Sequence, residues 1–187
     1  MKLQLSLTRI LSTLTAAVLL AVLTVPTRAS DSKPIAGVTA PAWSLKDVDG
    51  KTVSSADFKG KVVLLDFWAT WCPPCKAEIP SFVELQKTYG DQGLVVVGVS
   101  LDEEGARVLK PFMKQFGINY PVVLGDLKTA QAFGGVRSIP TTFIISRDGR
   151  IAGRHVGVVS KADFEKAIKP LLAAAPVPAP AKPAARY

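Results

Sequence analysis

The chain of 187 residues is long enough for one domain of ordinary size with a full hydrophobic core, and two such domains are not expected. Hydrophobic residues make up 48% of the chain and charged residues 20%, which excludes the charge-rich, apolar-poor composition of a disordered protein. The net charge is +8, but no run of Lys and Arg with interleaved aromatic residues occurs, so a nucleic-acid-binding groove is not predicted.

Residues 1–29 have the pattern of an export sequence. Lys2 and Arg9 precede an apolar stretch from Ile10 to Val25, and Thr27-Arg28-Ala29 follows it. This pattern is typical of a secretory signal that is cleaved after Ala29. The alternative is an uncleaved N-terminal membrane anchor, although the stretch is shorter than the ~20 apolar residues of an ordinary transmembrane helix. Both interpretations place the rest of the chain outside the cytoplasm, in the periplasm or exported.

The predicted domain covers residues 43–172 and is preceded by a linker over residues 30–42, which is polar and contains two prolines. The domain is predicted to begin with a small β-hairpin around the turn dipeptide Asp49-Gly50. Residues 173–187 are rich in Ala and Pro, a composition that cannot form a core and predicts a flexible tail.

Two continuous apolar runs, VVLLDFW (62–68) and LVVVGVS (94–100), predict strands that are buried on both faces of a mostly parallel sheet. Between them a helix is predicted over residues 73–89, with Pro73 in its first turn and Gly90 near its end. Strand, helix and strand then form a βαβ unit, which indicates the α/β class.

Further elements follow in the second half of the chain. The sequence predicts a helix over 103–116, a strand over 120–124, a short helix over 127–133, strands over 141–146 and 150–159, and a last helix. Asp148-Gly149 separates the last two strands and predicts that they are antiparallel neighbours, because Asp-Gly is a strong hairpin signal. The last helix is predicted to begin at Ser160, whose hydroxyl can cap it together with Asp163.

Cys72 and Cys75 are the only cysteines and form a Cys-Pro-Pro-Cys motif. A disulfide between them would close a ring so short that it constrains the unfolded chain very little, so stabilisation alone does not explain the pair. A structural zinc site needs four ligands, and the only histidine, His155, lies in a predicted strand, so no metal site is predicted. Two thiolates can hold copper(I), and a copper-handling module remains an alternative although no Met cluster accompanies the pair.

The position of the pair suits thiol-disulfide exchange. Cys72 lies where a buried strand turns into a helix, and unpaired helix N–H groups and the helix dipole lower the pKa of a thiol there. Cys75 lies one helical turn further on. We therefore predict that Cys72 attacks the disulfide of a partner and that Cys75 resolves the mixed disulfide. No cofactor beyond the redox-active disulfide is predicted.

Two acidic residues are candidates for a catalytic role beside the cysteines. Asp66 lies in the apolar run 62–68, where burial would raise its pKa, and we predict that it takes and returns the proton of Cys75. The alternative is an Asp at the strand end that reaches solvent. Glu78 shares a helix face with Cys75 and either tunes the thiol or is an ordinary solvated helix residue.

Ile139-Pro140 precedes a strand and follows a Gly-rich loop. Trans bonds are commoner before proline, but a cis bond here would turn the Ile139 backbone toward a groove, where it could pair with an extended partner peptide. Trp71, Pro73 and Pro74, beside the cysteines, complete the predicted substrate-binding residues.

The chain resembles the thioredoxin superfamily at three separated places, in the right order. These are DFWATWCPPC, then Pro80 five residues after Cys75, then VRSIPTTFI. More narrowly they resemble the exported TlpA/ResA-like thiol-disulfide oxidoreductases of the redoxin family, over about residues 36–172. The resemblance implies a thioredoxin-like fold, in which helices flank a central mixed β-sheet, with an N-terminal β-hairpin and a central insertion over residues 101–133.

The resemblance also assigns roles to single residues. It implies that Cys72 is the exposed nucleophile, Cys75 the resolving thiol, Pro140 a cis-proline beside them and Pro80 a kink in the active-site helix. Glu78 falls on the acidic helix position of the ResA-like group.

Two differences from related proteins refine the predicted function. Asp66 stands where many TlpA/ResA-like proteins have Asn and is similar to thioredoxin, and Pro73-Pro74 differs from the Pro-His of the strong exported oxidant, which favours a reductase. We therefore expect an exported enzyme that reduces oxidised periplasmic proteins, such as cytochrome c or copper-site maturation substrates. A membrane electron-donor protein would supply its electrons, and the only membrane contact would be an N-terminal anchor.

The second alternative, besides the copper(I) module, is a thiol peroxidase of the peroxiredoxin branch. That branch places Thr or Ser three residues before its peroxidatic Cys, whereas this chain has Ala69 at that position. The departure disfavours a peroxidase.

Overall fold

The computed structural model describes residues 37–174. The predicted signal or anchor over residues 1–29, the linker residues 30–36 and the tail from residue 175 onward lie outside the described residues. Within residues 37–174, no helix is long and apolar enough to cross a membrane.

Seven strands form one mixed β-sheet. They are β1 (Ser44–Asp47), β2 (Thr52–Ser54), β3 (Val62–Trp68), β4 (Leu94–Ser100), β5 (Val122–Leu124), β6 (Thr141–Ile145) and β7 (Ile151–Val156). Their order across the sheet is β2-β1-β5-β4-β3-β6-β7. The three central strands β5, β4 and β3 are parallel, and every other neighbouring pair is antiparallel, including β1 with β2 and β6 with β7. The predicted mixed sheet is confirmed.

Within residues 37–174, four α-helices accompany the sheet. They are α1 (Pro73–Tyr89), α2 (Ala106–Phe116), α3 (Leu127–Ala132) and α4 (Lys161–Ala173). Helix α1 has the predicted bounds, and the predicted cap of α4 is present, because the Ser160 hydroxyl accepts the main-chain N–H of Asp163 at 3.2 Å. The predicted insertion over residues 101–133 contributes α2, β5 and α3.

Three predicted bounds were wrong by two or more residues, each for a local reason. Helix α2 begins at Ala106 and not at residue 103, because Gly105 precedes it with φ +56°, a conformation that interrupts the helix. Strand β5 begins at Val122 and not at residue 120, because Pro121 has no N–H for the sheet ladder. Strand β7 ends at Val156 and not at residue 159, because Gly157 takes a positive φ of 85°.

The sheet separates two apolar cores. Side chains alternate along β3, which is buried throughout, so that Val62, Leu64 and Trp68 face one core and Val63, Leu65 and Phe67 the other. Helices α1, α2 and α4 cover the first core, where ring centroids are 5.2 Å apart for Phe82 and Phe164 and 5.4 Å apart for Trp68 and Phe112. Helix α3 and Trp43 lie on the second core.

This layering positions the cysteine motif. Because β3 and β4 are parallel, their carboxyl ends meet at one edge of the sheet, and the loop from Ala69 to Cys72 leads from β3 into α1 there. Asp66 shares its face of the sheet with Leu64 and Trp68, which is the face that α1 covers. The cysteines and Asp66 therefore belong to the same side of the domain.

Candidate active site

Cys72 and Cys75 form a disulfide at the start of α1. The S–S distance is 2.07 Å and the two Cα atoms are 5.3 Å apart. Cys72 is the N-cap residue of the helix, with extended backbone dihedrals, and Cys75 lies on the first helical turn. The predicted redox pair is thus brought together in its oxidised form.

The helix N-terminus gives the Cys72 sulfur one main-chain hydrogen bond. Pro73 and Pro74 occupy the first two helical positions and have no N–H, so the N–H of Cys75 is the first that can donate, and it reaches the Cys72 sulfur at 3.2 Å. The sequence predicted several unpaired N–H groups around this sulfur. That prediction was wrong in number, because the two prolines remove donors that another helix would supply.

Cys72 is less accessible than the resemblance implied. The residue is 3% exposed, whereas its neighbour Trp71 is 63% exposed, and Pro73 and Pro74 are exposed as well. In the disulfide the Cys75 sulfur covers one side of Cys72, and the carbonyl oxygen of Ile139 lies 3.8 Å from the Cys72 sulfur on another. The expected exposed nucleophile is therefore a recessed sulfur within an exposed rim.

The Ile139-Pro140 bond is cis and lies beside the disulfide. The Pro140 carbonyl accepts the N–H of Gly157 at 2.9 Å, and the Thr141 hydroxyl donates to the Ser138 carbonyl at 2.7 Å, so hydrogen bonds hold the segment on both sides. Pro140 is buried and Ile139 is half-buried. The structure thus brings the predicted substrate-binding residues of this loop next to Cys72.

Asp66 is buried, as one of the two interpretations predicted. It is 5% exposed, and one of its carboxylate oxygens accepts the hydroxyl of Thr142, its partner across β3 and β6, at 3.0 Å. Burial raises the pKa of Asp66 well above its ordinary value, the negative charge of Glu78 raises it further, and the Thr142 hydrogen bond opposes both effects. An Asp that reaches solvent from a strand end is excluded.

Glu78 is also buried, so the interpretation of a solvated helix residue was wrong. It is 1% exposed, and its Oε1 atom accepts the main-chain N–H of Val159 at 2.6 Å. The second oxygen, Oε2, has no hydrogen-bond partner within the described residues. Burial raises the pKa of Glu78 to about 7, against the opposing effect of the Val159 hydrogen bond.

Sequence reasoning missed Tyr120 and Thr142 in this cluster. Burial is the largest cause that raises the pKa of the Tyr120 phenol, and the charges of Asp66 and then Glu78 add to it, so the three side chains form one electrostatic group. Thr142 could have been found only from the strand register, which aligns Gly98, Asp66, Thr142 and His155 across four neighbouring strands. His155 is a strand-face residue, as predicted, with its ring 5.8 Å from that of Phe164.

The site contains the groups that thiol-disulfide exchange requires. One sulfur caps a helix, a second sulfur is covalently joined to it, and two buried carboxyls with raised pKa values lie on the same side of the sheet. Within residues 37–174, no three His, Cys, Asp or Glu side chains are close enough together to hold a metal ion. Pro80 lies exposed inside α1, and its predicted role as a kink stays a prediction.

Comparisons with known proteins agree with this chemistry. The thioredoxin-like protein YneN of Bacillus subtilis (strain 168) is 39% identical over 131 residues, which are 70% of this chain and 76% of that protein. The thiol-disulfide oxidoreductase ResA of the same organism is 38% identical over 138 residues, which are 72% of this chain and 76% of that protein.

A solved structure and a family match extend the comparison. The thiol:disulfide interchange protein of the thioredoxin family from Chlorobium tepidum TLS has a TM-score of 0.67 and 42% identity, over 76% of this chain and 99% of that chain. Residues 36–154 match the AhpC/TSA family. The chain therefore belongs to the AhpC/TSA family, and it is a thiol-disulfide oxidoreductase with a thioredoxin-like fold.

Proposed function

We propose that the protein is an exported reductase of protein disulfides. The observation that carries the proposal is the Cys72–Cys75 pair at the start of α1, with a single main-chain N–H donated to the Cys72 sulfur. Its substrates would be oxidised periplasmic proteins, such as those of cytochrome c or copper-site maturation, and a membrane protein would return the electrons. Export is expected from the signal or anchor pattern of residues 1–29.

In the first step the reduced enzyme forms a mixed disulfide. The Cys72 thiolate attacks one sulfur of the partner disulfide, a new S–S bond forms, the partner's own S–S bond breaks, and its second sulfur leaves as a thiolate that takes up a proton. The Cys75 N–H stabilises the attacking thiolate, because a hydrogen bond to the charged form favours that form.

In the second step Cys75 releases the partner. The Cys75 thiol loses its proton, its sulfur attacks Cys72, and the mixed disulfide breaks to give the Cys72–Cys75 disulfide and a reduced partner. The partner sulfur that was bound to Cys72 also leaves as a thiolate and takes up a proton. Two electrons therefore pass from the enzyme to the partner, and one proton is released by Cys75 and one is taken up from solvent. We assign the proton of Cys75 to Asp66, because burial raises the pKa of this carboxyl and a raised pKa makes it a stronger base than an ordinary carboxylate.

Glu78 is the second carboxyl of this step. Its pKa of about 7 and its buried Oε2 atom fit a group that shares the proton with Asp66 and tunes the cysteine thiols. The Glu78 charge raises the cost of ionising Asp66, and burial raises that cost for both carboxyls, so the pair holds a proton at pH values at which isolated carboxyls would have lost theirs.

The partner would bind over the rim around Cys72. Trp71 offers an exposed aromatic surface, and Pro73 and Pro74 form a rigid exposed edge beside it. Within residues 37–174 the N–H of Ile139 has no hydrogen-bond acceptor, so the backbone there is available to an extended partner peptide. A partner strand that pairs with Ile139 would bring its disulfide to the recessed sulfur.

The two prolines also support the direction of electron flow. A strongly oxidising pair needs a reduced form that is stabilised through its thiolate. Here the Cys72 sulfur receives one N–H from the helix start instead of several, so its thiolate is stabilised less and the disulfide is comparatively stable. A stable disulfide corresponds to a reducing pair.

The alternatives have less support. The hydroxyl of Thr70, two residues before Cys72, donates to Asp102 at 2.5 Å, and position 69 is Ala, so neither side chain supports a peroxidatic Cys72. Turnover of a hydroperoxide with a thiol donor would favour the peroxidase. Tight binding of one copper(I) ion without reduction of insulin would favour the copper module.

Trapping of the mixed disulfide tests the proposal. The full chain with Cys75→Ser, expressed with its export sequence, should accumulate disulfide-linked partners on Cys72, which mass spectrometry after non-reducing separation identifies. The matched control is Cys72→Ser, which should trap few or none. Equal trapping by both variants, or none by Cys75→Ser, contradicts the proposed exchange mechanism.

A further inference from the structure

The loop that carries Cys72 is bound to a buried carboxylate on the neighbouring strand end. Asp102 follows β4 and is 8% exposed. Its Oδ2 atom accepts the main-chain N–H of Thr70 at 3.0 Å, and its Oδ1 atom accepts the Thr70 hydroxyl at 2.5 Å. One residue of the cysteine loop therefore donates both its main-chain and its side-chain hydrogen to the same carboxylate.

Ser100 completes the cluster from within β4. Its hydroxyl donates to Asp102 Oδ2 at 2.8 Å and accepts the main-chain N–H of Asp102 at 3.1 Å. Within the described residues no Lys, Arg or His forms an ion pair with this carboxylate. Its negative charge is thus compensated by hydrogen bonds alone, two of them from Thr70.

Loss of these hydrogen bonds would be costly. A buried charged group that loses its donors bears its desolvation penalty, and hydrogen bonds to charged groups are about twice as strong as neutral ones. Thr70 therefore cannot leave Asp102 without a substantial loss of stability. Two further bonds fix the same segment, because the Leu101 N–H donates to the Trp68 carbonyl at 2.8 Å and the Cys72 N–H donates to the Ala69 carbonyl at 3.2 Å.

These contacts form a short path from β4 to the reacting sulfur. Asp102 holds Thr70, the turn from Ala69 to Cys72 follows directly, and Cys72 caps α1 with its sulfur against the Cys75 N–H. We infer that Asp102 is a positioning residue that, through Thr70, holds Cys72 at the start of α1 in the geometry that Cys75 must attack. The inference rests on the proposed role of Cys72 as the attacking thiol.

The two-step reaction of the reduced full chain with the chromogenic disulfide DTNB separates positioning from simple reactivity. The first release of thionitrobenzoate reports attack by Cys72, and the second, first-order release reports closure of the ring by Cys75. Ring closure depends on the placement of the two sulfurs, because misplacement of reacting atoms by about 1 Å can cost up to about a hundredfold in rate. Stopped-flow absorbance resolves both phases.

Asp102→Asn and Thr70→Val should each slow the ring-closure phase by about tenfold. Thr70→Ser keeps both donors and should stay within about twofold of the unchanged chain. The matched control is Asp126→Asn, because Asp126 also accepts the main-chain N–H of a threonine, Thr129, at 2.6 Å, but at the start of α3. It should leave the ring-closure rate unchanged even if it lowers stability.

Two outcomes contradict different claims. If the first adduct lies on Cys72 by mass spectrometry and ring closure is unchanged in both folded variants, Asp102 does not position Cys72. If the first adduct of the unchanged chain lies on Cys75, the proposed role of Cys72 is wrong. Should Asp102→Asn fail to fold, the comparison of Thr70→Val with Thr70→Ser decides the inference alone.

Discussion

The main-chain N–H of Cys75 donates a hydrogen bond to the sulfur of Cys72 across 3.2 Å. Pro73 and Pro74 stand between the two residues and contribute no N–H, so this is the donor that the helix start gives the sulfur. The number of such donors sets how well the Cys72 thiolate is stabilised, and with it the pKa of the thiol and the stability of the disulfide.

Pro74→Ala should add a donor at the second helical position, where an N–H commonly bonds to the N-cap side chain. We expect the pKa of the Cys72 thiol to fall and the reduction potential of the pair to become less negative by about 20–30 mV. The pH dependence of Cys72 alkylation and equilibration with glutathione measure the two quantities. Pro80→Ala, at an exposed position of the same helix, is the control and should change neither.

Asp66→Asn should remove the group that accepts the proton of Cys75. We expect the ring-closing attack of Cys75 on a Cys72 mixed disulfide to slow by about a hundredfold near pH 7, because general base catalysis typically contributes 10²–10⁴-fold. The rate measured as a function of pH should also lose the inflection that Asp66 produces. An unchanged pH profile in a folded Asp66→Asn protein would remove Asp66 from the mechanism.

Thr142→Val tests the same assignment without removal of the carboxyl. The Thr142 hydroxyl lowers the pKa of Asp66, so its loss should raise that pKa further and move the inflection of the ring-closure rate to higher pH. Thr141→Val is the matched control, because the Thr141 hydroxyl donates to the Ser138 carbonyl and not to Asp66. This control should leave the inflection where it is. If Thr142→Val moved the inflection to lower pH, another group would be responsible for it.

Glu78 should make the oxidised protein less stable as the pH rises. Its pKa is about 7 in the folded protein and 4.5 as an ordinary value, so the folded chain holds the proton more tightly between these two values. The stabilisation is complete below about pH 4.5 and is lost as the pH rises through 7. We expect a fall in the free energy of unfolding of about 2 kcal/mol over this window.

Glu78→Gln should make this fall smaller, as measured by denaturant unfolding at pH 4.5, 6 and 7.5, and the part that remains belongs to Asp66, whose raised pKa acts in the same direction. The oxidised protein is used because its disulfide cysteines do not titrate. Glu84→Gln is the matched control on the same helix, since Glu84 is partnered by Lys161, which lowers the pKa of Glu84, so it does not contribute in this window. A pH dependence in Glu78→Gln as steep as that of the unchanged chain would contradict the assignment to Glu78.

The local elements of this fold could be predicted because each is specified by residues within it. The apolar run 62–68 predicted a buried strand, and Pro73 and Gly90 marked the ends of α1. The predicted start of α2 at residue 103 was wrong for two reasons. The side chain of Asp102 binds Thr70 and is not used to cap a helix, and Gly105 interrupts the helix before Ala106.

The site was predicted as far as its residues lie close together in sequence. The Cys72–Cys75 pair followed from its spacing, and the burial of Asp66 from its apolar neighbours. Glu78 and Val159 are in contact although they lie 81 positions apart in the sequence, and Asp102 and Thr70 are in contact across 32 positions. Only the tertiary fold reveals these two contacts. The position of Asp102 could have been predicted in part. Parallel strands such as β3 and β4 place their carboxyl ends at one edge of the sheet, so an Asp just after β4 is expected near the cysteine loop.

The reduction potential of the Cys72/Cys75 pair decides whether the enzyme reduces its partners or oxidises them. The pair is equilibrated with defined ratios of reduced and oxidised dithiothreitol or glutathione, and the oxidised fraction is read from the fluorescence of Trp68 and Trp71, which shortly precede the motif in the sequence. We expect a value near that of thioredoxin, about −270 mV, as for a reductase. A value near −120 mV would make the protein a donor of disulfides and would rule out the proposed direction of electron flow.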